Sequence, residues 1–274
     1  MTRLIDGRAI AGQLADEVKG LVARAPRAPR IAVVLPSDDE AAGWYARSIQ
    51  RAAGRVGIHV QVDELFEAGG SALARRLEVL SGDPDVDGII CQTPLPDGLR
   101  LADVGSFIAP GKDVDGANPV SLGRLAAGMP AYAPATAAAV LEILKREQVR
   151  LSGARAVVVG RSIVVGKPAA LLLLAQDATV TVCHSRTVDL AEVCSSADVL
   201  VAAVGRAGFV GASFIKPGAV VIDVGTNPVE GGGFTGDVAA DEAGAASALT
   251  PVPGGVGSVT TMMLMLHTAR AATS

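Results

Sequence analysis

The chain has 274 residues, 50% of them hydrophobic and 19% charged, and a formal net charge of −4. That is enough apolar residue for one large or two modest α/β domains, and the acidic balance argues against a general nucleic-acid binder, which needs a basic stripe to neutralise a phosphate backbone. Cys91, Cys183 and Cys194 are widely spaced, odd in number and without a CxxC pair, so neither a disulfide scaffold nor a zinc site is suggested and no metal is expected.

The first residues, MTRLIDGRAIAGQLADEV, are amphipathic and contain acids, and no run reaches about 18 apolar residues. The expectation is a cytoplasmic protein that does not engage a membrane. Short β-rich runs then alternate with longer helical stretches, the pattern of βαβ units. Strands are predicted at 31–35, 58–62 and 88–91, with a helix over 41–56, rich in Ala and Arg, that stops at Gly57 as a C′ glycine. A second series follows Ser152-Gly153, with buried strands at 156–159, 178–183, 199–203 and 220–224. The join falls in a helix over 136–147, a last helix over 259–272 returns to the first domain, and the glycines at 231–233 read as a hairpin or surface turn. The fold class is therefore α/β with two domains, each built on a mainly parallel sheet. Residues 1–138 with 258–274 form one, residues 139–257 form a Rossmann-like nucleotide-binding domain, and a cleft is expected between them.

Within the second series, VVVGRSIVVGKPAALLLL reads as strand, glycine turn and helix. Gly160 lets the chain turn off the strand, and Gly166 with Pro168 at the helix start leaves backbone N–H groups facing an anion such as a pyrophosphate. The spacing is not GxGxxG, and a purely structural turn would look the same. The end of the next strand supplies the further signal. Cys183-His184-Ser185-Arg186-Thr187 stands where many dinucleotide enzymes place an acid for the ribose diol, and no acid is present. A hydroxyl and an arginine there, with Arg161 nearby, favour a 2′-phosphate, hence NADP over NAD. Read alone, Arg186 is also compatible with a solvated surface charge.

Three further segments set polar groups beside Pro or Gly turns: CQTPLPDG from Cys91, KDVDGANP from Lys112 and TPVPGGVGSVT from Thr250. In this order, with LIDGRAIA before them and the glycine turn between the second and third, they resemble the methylenetetrahydrofolate dehydrogenase/cyclohydrolase family over nearly the whole chain. The resemblance implies a folate-binding catalytic domain and a homodimer formed through the nucleotide-binding domains. It implies that Asp115 binds the amino-pyrimidine edge of the pterin, that Tyr45 stacks on the folate, and that Gln92 orients the one-carbon centre. Pro253 and Gly254 match the loop over the substrate. Gly160, Arg161, Ser162, Gly166, Ser185 and Arg186 match the NADP surface, and Val204, Gly205 and Thr226 lie in loops along the cofactor. Read without the resemblance, Asp115 is a turn carboxylate and Gln92 a strand end.

The departures are concentrated in the first domain. The family pattern has a lysine four residues after the tyrosine, one helical turn on; here that position is Ile49. Arg47 and Arg51 flank it but lie about 200° around the helix from the gap. Ala42, Glu40, Thr93, Ala135, Ala137 and Ser258 also depart from pattern. Hydride transfer from 5,10-methylenetetrahydrofolate depends mostly on positioning, whereas hydrolysis of the methenyl product needs the proton transfer that the lysine is thought to serve. The expected enzyme is an NADP-dependent methylenetetrahydrofolate dehydrogenase with weak or absent cyclohydrolase activity. Three alternatives stand beside it: a bifunctional enzyme with a substitute acid/base, a regulatory folate- or NADP-binding protein without catalysis, and an enzyme for a modified folate. His59, His184 and His267 are read as peripheral, packed or adenosine-facing, not catalytic.

Overall fold

In the computed structural model, which describes residues 2–66, 69–96 and 98–274, helices and strands follow in the order β1 (Arg3–Leu4), α1 (Gly7–Val22), β2 (Arg30–Leu35), α2 (Glu40–Val56), β3 (His59–Glu64), α3 (Gly70–Gly82), β4 (Gly88–Cys91), α4 (Leu101–Gly105), α5 (Pro119–Ala126), α6 (Ala135–Arg146), β5 (Arg155–Val159), α7 (Gly166–Leu174), β6 (Thr179–Cys183), α8 (Leu190–Cys194), β7 (Val199–Ala202), β8 (Val220–Asp223), β9 (Asn227–Pro228), β10 (Phe234–Thr235), β11 (Ala248–Leu249) and α9 (Val256–Ala271). Two compact units result, residues 12–135 with 261–274 and residues 1–11 with 136–260.

The folate-motif unit, residues 12–135 with 261–274, has a three-stranded parallel sheet in the order β3-β2-β4. β2 and β4 are almost wholly buried, as continuous apolar runs in a covered parallel sheet should be. Leu73, Leu77 and Leu80 at i, i+4 and i+7 of α3 pack on them with Val86 and Ile108. α2 starts at Asp39, whose side chain accepts from Ala42 N at 2.8 Å, and ends at Gly57 with φ +82°, as the C′ glycine predicts. Its buried stripe is Ala42, Ala46, Ile49, Ala53 and Val56.

The other unit carries a six-stranded sheet in the order β1-β11-β8-β7-β5-β6, all parallel. β5 lies between β6 and β7, so the strand order reverses there, the place where open α/β sheets bind ligands at the carboxyl ends of their strands. Val157, Leu200 and Val221 centre its core, and the turn at 231–233 joins β9 to β10 as an antiparallel hairpin. Sequence reasoning put residues 1–11 with the first domain. They lie instead in the nucleotide-type unit, because β1 pairs with β11, Arg3 against Ala248 and Leu4 against Leu249. Among the described residues no helix is long and apolar enough to cross a membrane.

Candidate active site

In the folate-motif unit, Tyr45 and Ile49 are placed by one helix, α2, and Asp115 by a loop. Asp39 caps α2 and turns its buried stripe inward, so Ile49 is 0% exposed while Tyr45, one turn earlier, is half-buried. Arg47 and Arg51 are exposed, as their angular positions on the helix require. Burial pushes the Tyr45 phenol above its ordinary pKa, and the neighbouring Asp115 adds to this, against a hydrogen bond to Thr261.

Asp115 owes its position to a residue that sequence reasoning passed over. Asp113 is fully buried and accepts from Ala117 N (2.8 Å), Asn118 N (2.9 Å) and Ser121 Oγ (2.6 Å), while its backbone bridges Ile89 of β4. The loop is thereby laid along the sheet edge. Asp115 accepts from Ala135 N at 3.1 Å, and burial pushes its carboxyl up to about 7, with Asp113 contributing in the same direction against that hydrogen bond. Between the two acids, the Val114 carbonyl oxygen lies 2.8 Å from His267 Nδ1; a carbonyl can only accept, so the ring donates from Nδ1. His267 is buried against Tyr132, with ring centroids 5.1 Å apart. Burial lowers its pKa to about 4, and Arg270 acts in the same direction, against the bond to Val114. His59 is exposed.

These two groups have opposite pH linkage. Between its ordinary 6.5 and about 4, His267 takes a proton in the unfolded chain that the folded protein refuses, so its contribution is full above pH 6.5 and is lost on acidification. Asp115, ordinarily near 3.8, holds a proton in the folded protein up to about 7, so its burial destabilises at neutral pH and that cost fades on acidification. Each slope is at most about 1.4 kcal/mol per pH unit, and they oppose one another from about pH 4 to 6.5. His267→Asn retains a donor for Val114 and removes the first slope. The urea midpoint of this variant is expected to rise relative to the parent as pH falls from 7 to 5, and parallel pH profiles for the two proteins would refute the assignment.

Gln92 extends β4, its N–H donating to Val34 O at 2.9 Å, and its side chain is half-buried. Asp97 of the same motif lies outside the described residues. Lys112 donates from Nζ to the carbonyls of Asp83 (2.5 Å) and Leu80 (3.4 Å) at the end of α3, and Lys19 pairs with Asp16. The two lysines of this unit are thus engaged away from Tyr45. The three cysteines are buried and free, and burial pushes the Cys91 and Cys194 thiols up to about 12, so both are protonated near neutrality.

In the six-stranded unit, the expected cofactor residues fall at the carboxyl ends of β5, β6, β7 and β8. Gly160 ends β5 with φ +132°, and a Cβ there would overlap the Ala203 carbonyl oxygen. A Cβ on Gly166 would overlap the Gly160 oxygen, so the turn and the start of α7 are packed backbone to backbone. Ser162 Oγ accepts from Val165 N (3.1 Å) and Gly166 N (3.3 Å). The Gly166 N–H, expected to face an anion, is therefore held by Ser162, because a hydroxyl in the turn caps the helix before a ligand can. Ser185 and Arg186 are exposed at the end of β6, in a turn tied by His184 N to Thr187 Oγ1 (2.9 Å) and Arg186 N to His184 Nδ1 (3.2 Å). Arg161 and Thr226 are exposed, Val204 is half-buried and Gly205 exposed. In the Thr250 segment, Pro253 is exposed and Gly254 half-buried, with Arg8 beside Gly254. A tight glycine turn at a strand-order reversal, with a hydroxyl and an arginine on the next strand end, fits a phosphorylated dinucleotide.

Comparison with known proteins agrees with both units. The profile described as the tetrahydrofolate dehydrogenase/cyclohydrolase catalytic domain matches residues 5–115, and that of the same family's NAD(P)-binding domain matches residues 134–274. The chain is 60% identical to a protein from Parafrankia named bifunctional protein FolD, over 98% of this chain and 99% of that protein. Its structure is similar to that of the bifunctional enzyme FolD (methylenetetrahydrofolate dehydrogenase/cyclohydrolase) from Campylobacter jejuni, with a TM-score of 0.95 and 35% identity over 100% and 99% of the two chains. It is also similar to the Trypanosoma brucei methylenetetrahydrofolate dehydrogenase-cyclohydrolase, solved with NADP cofactor and an inhibitor, with a TM-score of 0.93 and 36% identity over 99% and 97%. The chain belongs to the tetrahydrofolate dehydrogenase/cyclohydrolase family.

Proposed function

We propose that this chain oxidises 5,10-methylenetetrahydrofolate to 5,10-methenyltetrahydrofolate with NADP, and that its hydrolysis of the methenyl product is weak or absent. The observation that carries the second half is Ile49: a fully buried isoleucine one helical turn beyond Tyr45, with Lys19 and Lys112 engaged elsewhere. Bound NADP supplies the hydride acceptor. Tyr45 offers a flat, half-buried ring for the folate, and Asp115 offers carboxylate oxygens to the donors of the amino-pyrimidine edge. Gln92 orients the one-carbon centre, and Pro253 and Gly254 cover the substrate. Gly160, Ser162 and Gly166 shape the pyrophosphate turn, Ser185 and Arg186 with Arg161 hold the 2′-phosphate, and Val204, Gly205 and Thr226 flank the cofactor. The absence of an acid at the end of β6 and the NADP bound to the T. brucei relative support NADP over NAD.

Two assays on pure protein test the reading: NADPH formation from 5,10-methylenetetrahydrofolate, and decay of added 5,10-methenyltetrahydrofolate. NADP reduction with decay at the spontaneous rate is expected; strongly accelerated decay would overturn the proposal for Ile49. A bifunctional enzyme is the second reading. It is supported by the bifunctional name of the Parafrankia relative and by Asp115, whose carboxyl at about 7 could exchange a proton near neutrality.

A homodimer through the six-stranded unit is also proposed. β6 is an edge strand, and Leu174, Val182 and Val188 on or beside it are 58%, 39% and 79% exposed, an unpaired apolar edge of the kind that pairing covers. Sedimentation velocity should give twice the 27.6 kDa chain mass, and Val182→Lys should shift the protein to monomer. A monomeric parent would exclude the dimer.

A further inference from the structure

A buried carboxylate organises the loop at the end of β7. Asp237 is 0% exposed. Its Oδ2 accepts from Val204 N (2.6 Å) and Gly205 N (3.0 Å), and its Oδ1 from Arg206 N (2.9 Å) and Asn227 Nδ2 (2.9 Å). Both carboxylate oxygens are thereby fully used as acceptors, two donors on each. Three successive backbone N–H groups converging on one anion form a nest, here filled by the protein's own side chain.

The anchor is itself braced from β8. Asp223 Oδ1 accepts from Gly225 N and Asp237 N, both at 2.9 Å, and its Oδ2 from Val238 N at 3.0 Å. The position of the Val204 loop is therefore set through Asp237 by the end of a neighbouring strand. Peptide planarity adds a consequence. With the N–H groups of Gly205 and Arg206 turned onto the carboxylate, the Val204 and Gly205 carbonyls point the opposite way, as acceptors for a ligand's N–H donors.

Topology indicates which half of a dinucleotide meets this loop. With the pyrophosphate at the turn after β5 and the adenosine phosphate at the end of β6, the remaining half falls on the β7 side of β5. We propose that Asp237 is a positioning residue for the nicotinamide half of the cofactor, fixing the Val204–Gly205 backbone so that its carbonyls meet the carboxamide. The proposal rests on the NADP reading of this unit.

The test is Asp237→Asn in the full chain, which keeps shape but puts an NH₂ group against two of the donors. NADPH and 2′-phospho-ADP-ribose, which lacks the nicotinamide ring, are titrated separately. The loss of charge-assisted hydrogen bonds should weaken NADPH binding about tenfold or more, raise KM for NADP and leave KM for the folate and the affinity for 2′-phospho-ADP-ribose unchanged. Equal weakening of both ligands would reduce Asp237 to a general stabiliser and overturn the proposal, as would unchanged NADPH binding. A parent that binds neither ligand would overturn the NADP reading as well. If the variant does not fold, Asn227→Ala removes one of the four donors and decides by the same split: a smaller loss confined to NADPH supports the proposal, and an equal loss or none refutes it.

Discussion

Replacing Ile49 with lysine is expected to accelerate decay of 5,10-methenyltetrahydrofolate by about 100-fold or more over the parent, the usual range for a positioned acid/base, with NADP reduction little changed. The side chain would replace a member of the buried stripe of α2, one turn from Tyr45. Burial disfavours a charged amine and lowers its pKa toward neutrality, while Asp115, close enough to raise the Tyr45 pKa, favours the charged form. An amine balanced between the two is suited to passing a proton. The change carries a stability cost, because about 1.5–3 kcal/mol of isoleucine burial is lost and the amine must be desolvated, so the melting temperature should fall. Ile49→Met, apolar and unbranched, controls for packing and should not accelerate decay. A folded I49K protein without acceleration would mean that the missing amine is not what limits hydrolysis.

Gly160→Ala is expected to weaken NADP binding by about 100-fold or more, since each 1.4 kcal/mol is a factor of ten. At φ +132° an L side chain is strained by about 1–3 kcal/mol, and its methyl group would collide with the Ala203 carbonyl oxygen. That carbonyl belongs to the chain leaving β7, so relief of the clash must move either the turn after β5 or the loop before Val204. Titration calorimetry with NADP measures the loss. The chain's single tryptophan, Trp44, lies on α2 in the other unit, so a folate-induced change in its fluorescence should persist in the variant. Unaltered NADP affinity would show that the turn after β5 does not receive the pyrophosphate.

Local signals made most of the fold legible. Continuous apolar runs located β2, β4 and β5 to within a residue or two, and the glycine at 57 ended α2 where its positive φ is needed. β1 and β11 could not be read, because two-residue strands are defined by the partner that pairs with them and not by a pattern of their own. The proposed site divides in the same way. Tyr45, Asp115 and the Gly160 turn stand in recognisable motifs. Asp113, Asp237 and Asp223 are buried carboxylates satisfied mainly by backbone N–H groups, a role that exists only once distant loops converge. They share no sequence signal: Asp237 follows Gly236, but Asp113 stands between Lys112 and Val114 and Asp223 between Ile222 and Val224. Ser162 gives the converse case: its motif match pointed outward to the cofactor, while its hydroxyl first closes the turn of its own helix.

The pairing of β1 with β11 also orders events during synthesis. Thr2 Oγ1 bonds to the Ala243 carbonyl across 241 residues of chain, and Arg3 and Leu4 find their strand partner only once Ala248 and Leu249 have left the ribosome. The β1 edge therefore stays unpaired while the intervening chain is made. Contacts of such long range close late and slow folding. The exposed Leu4 is then without its strand neighbour until Leu249 has been made.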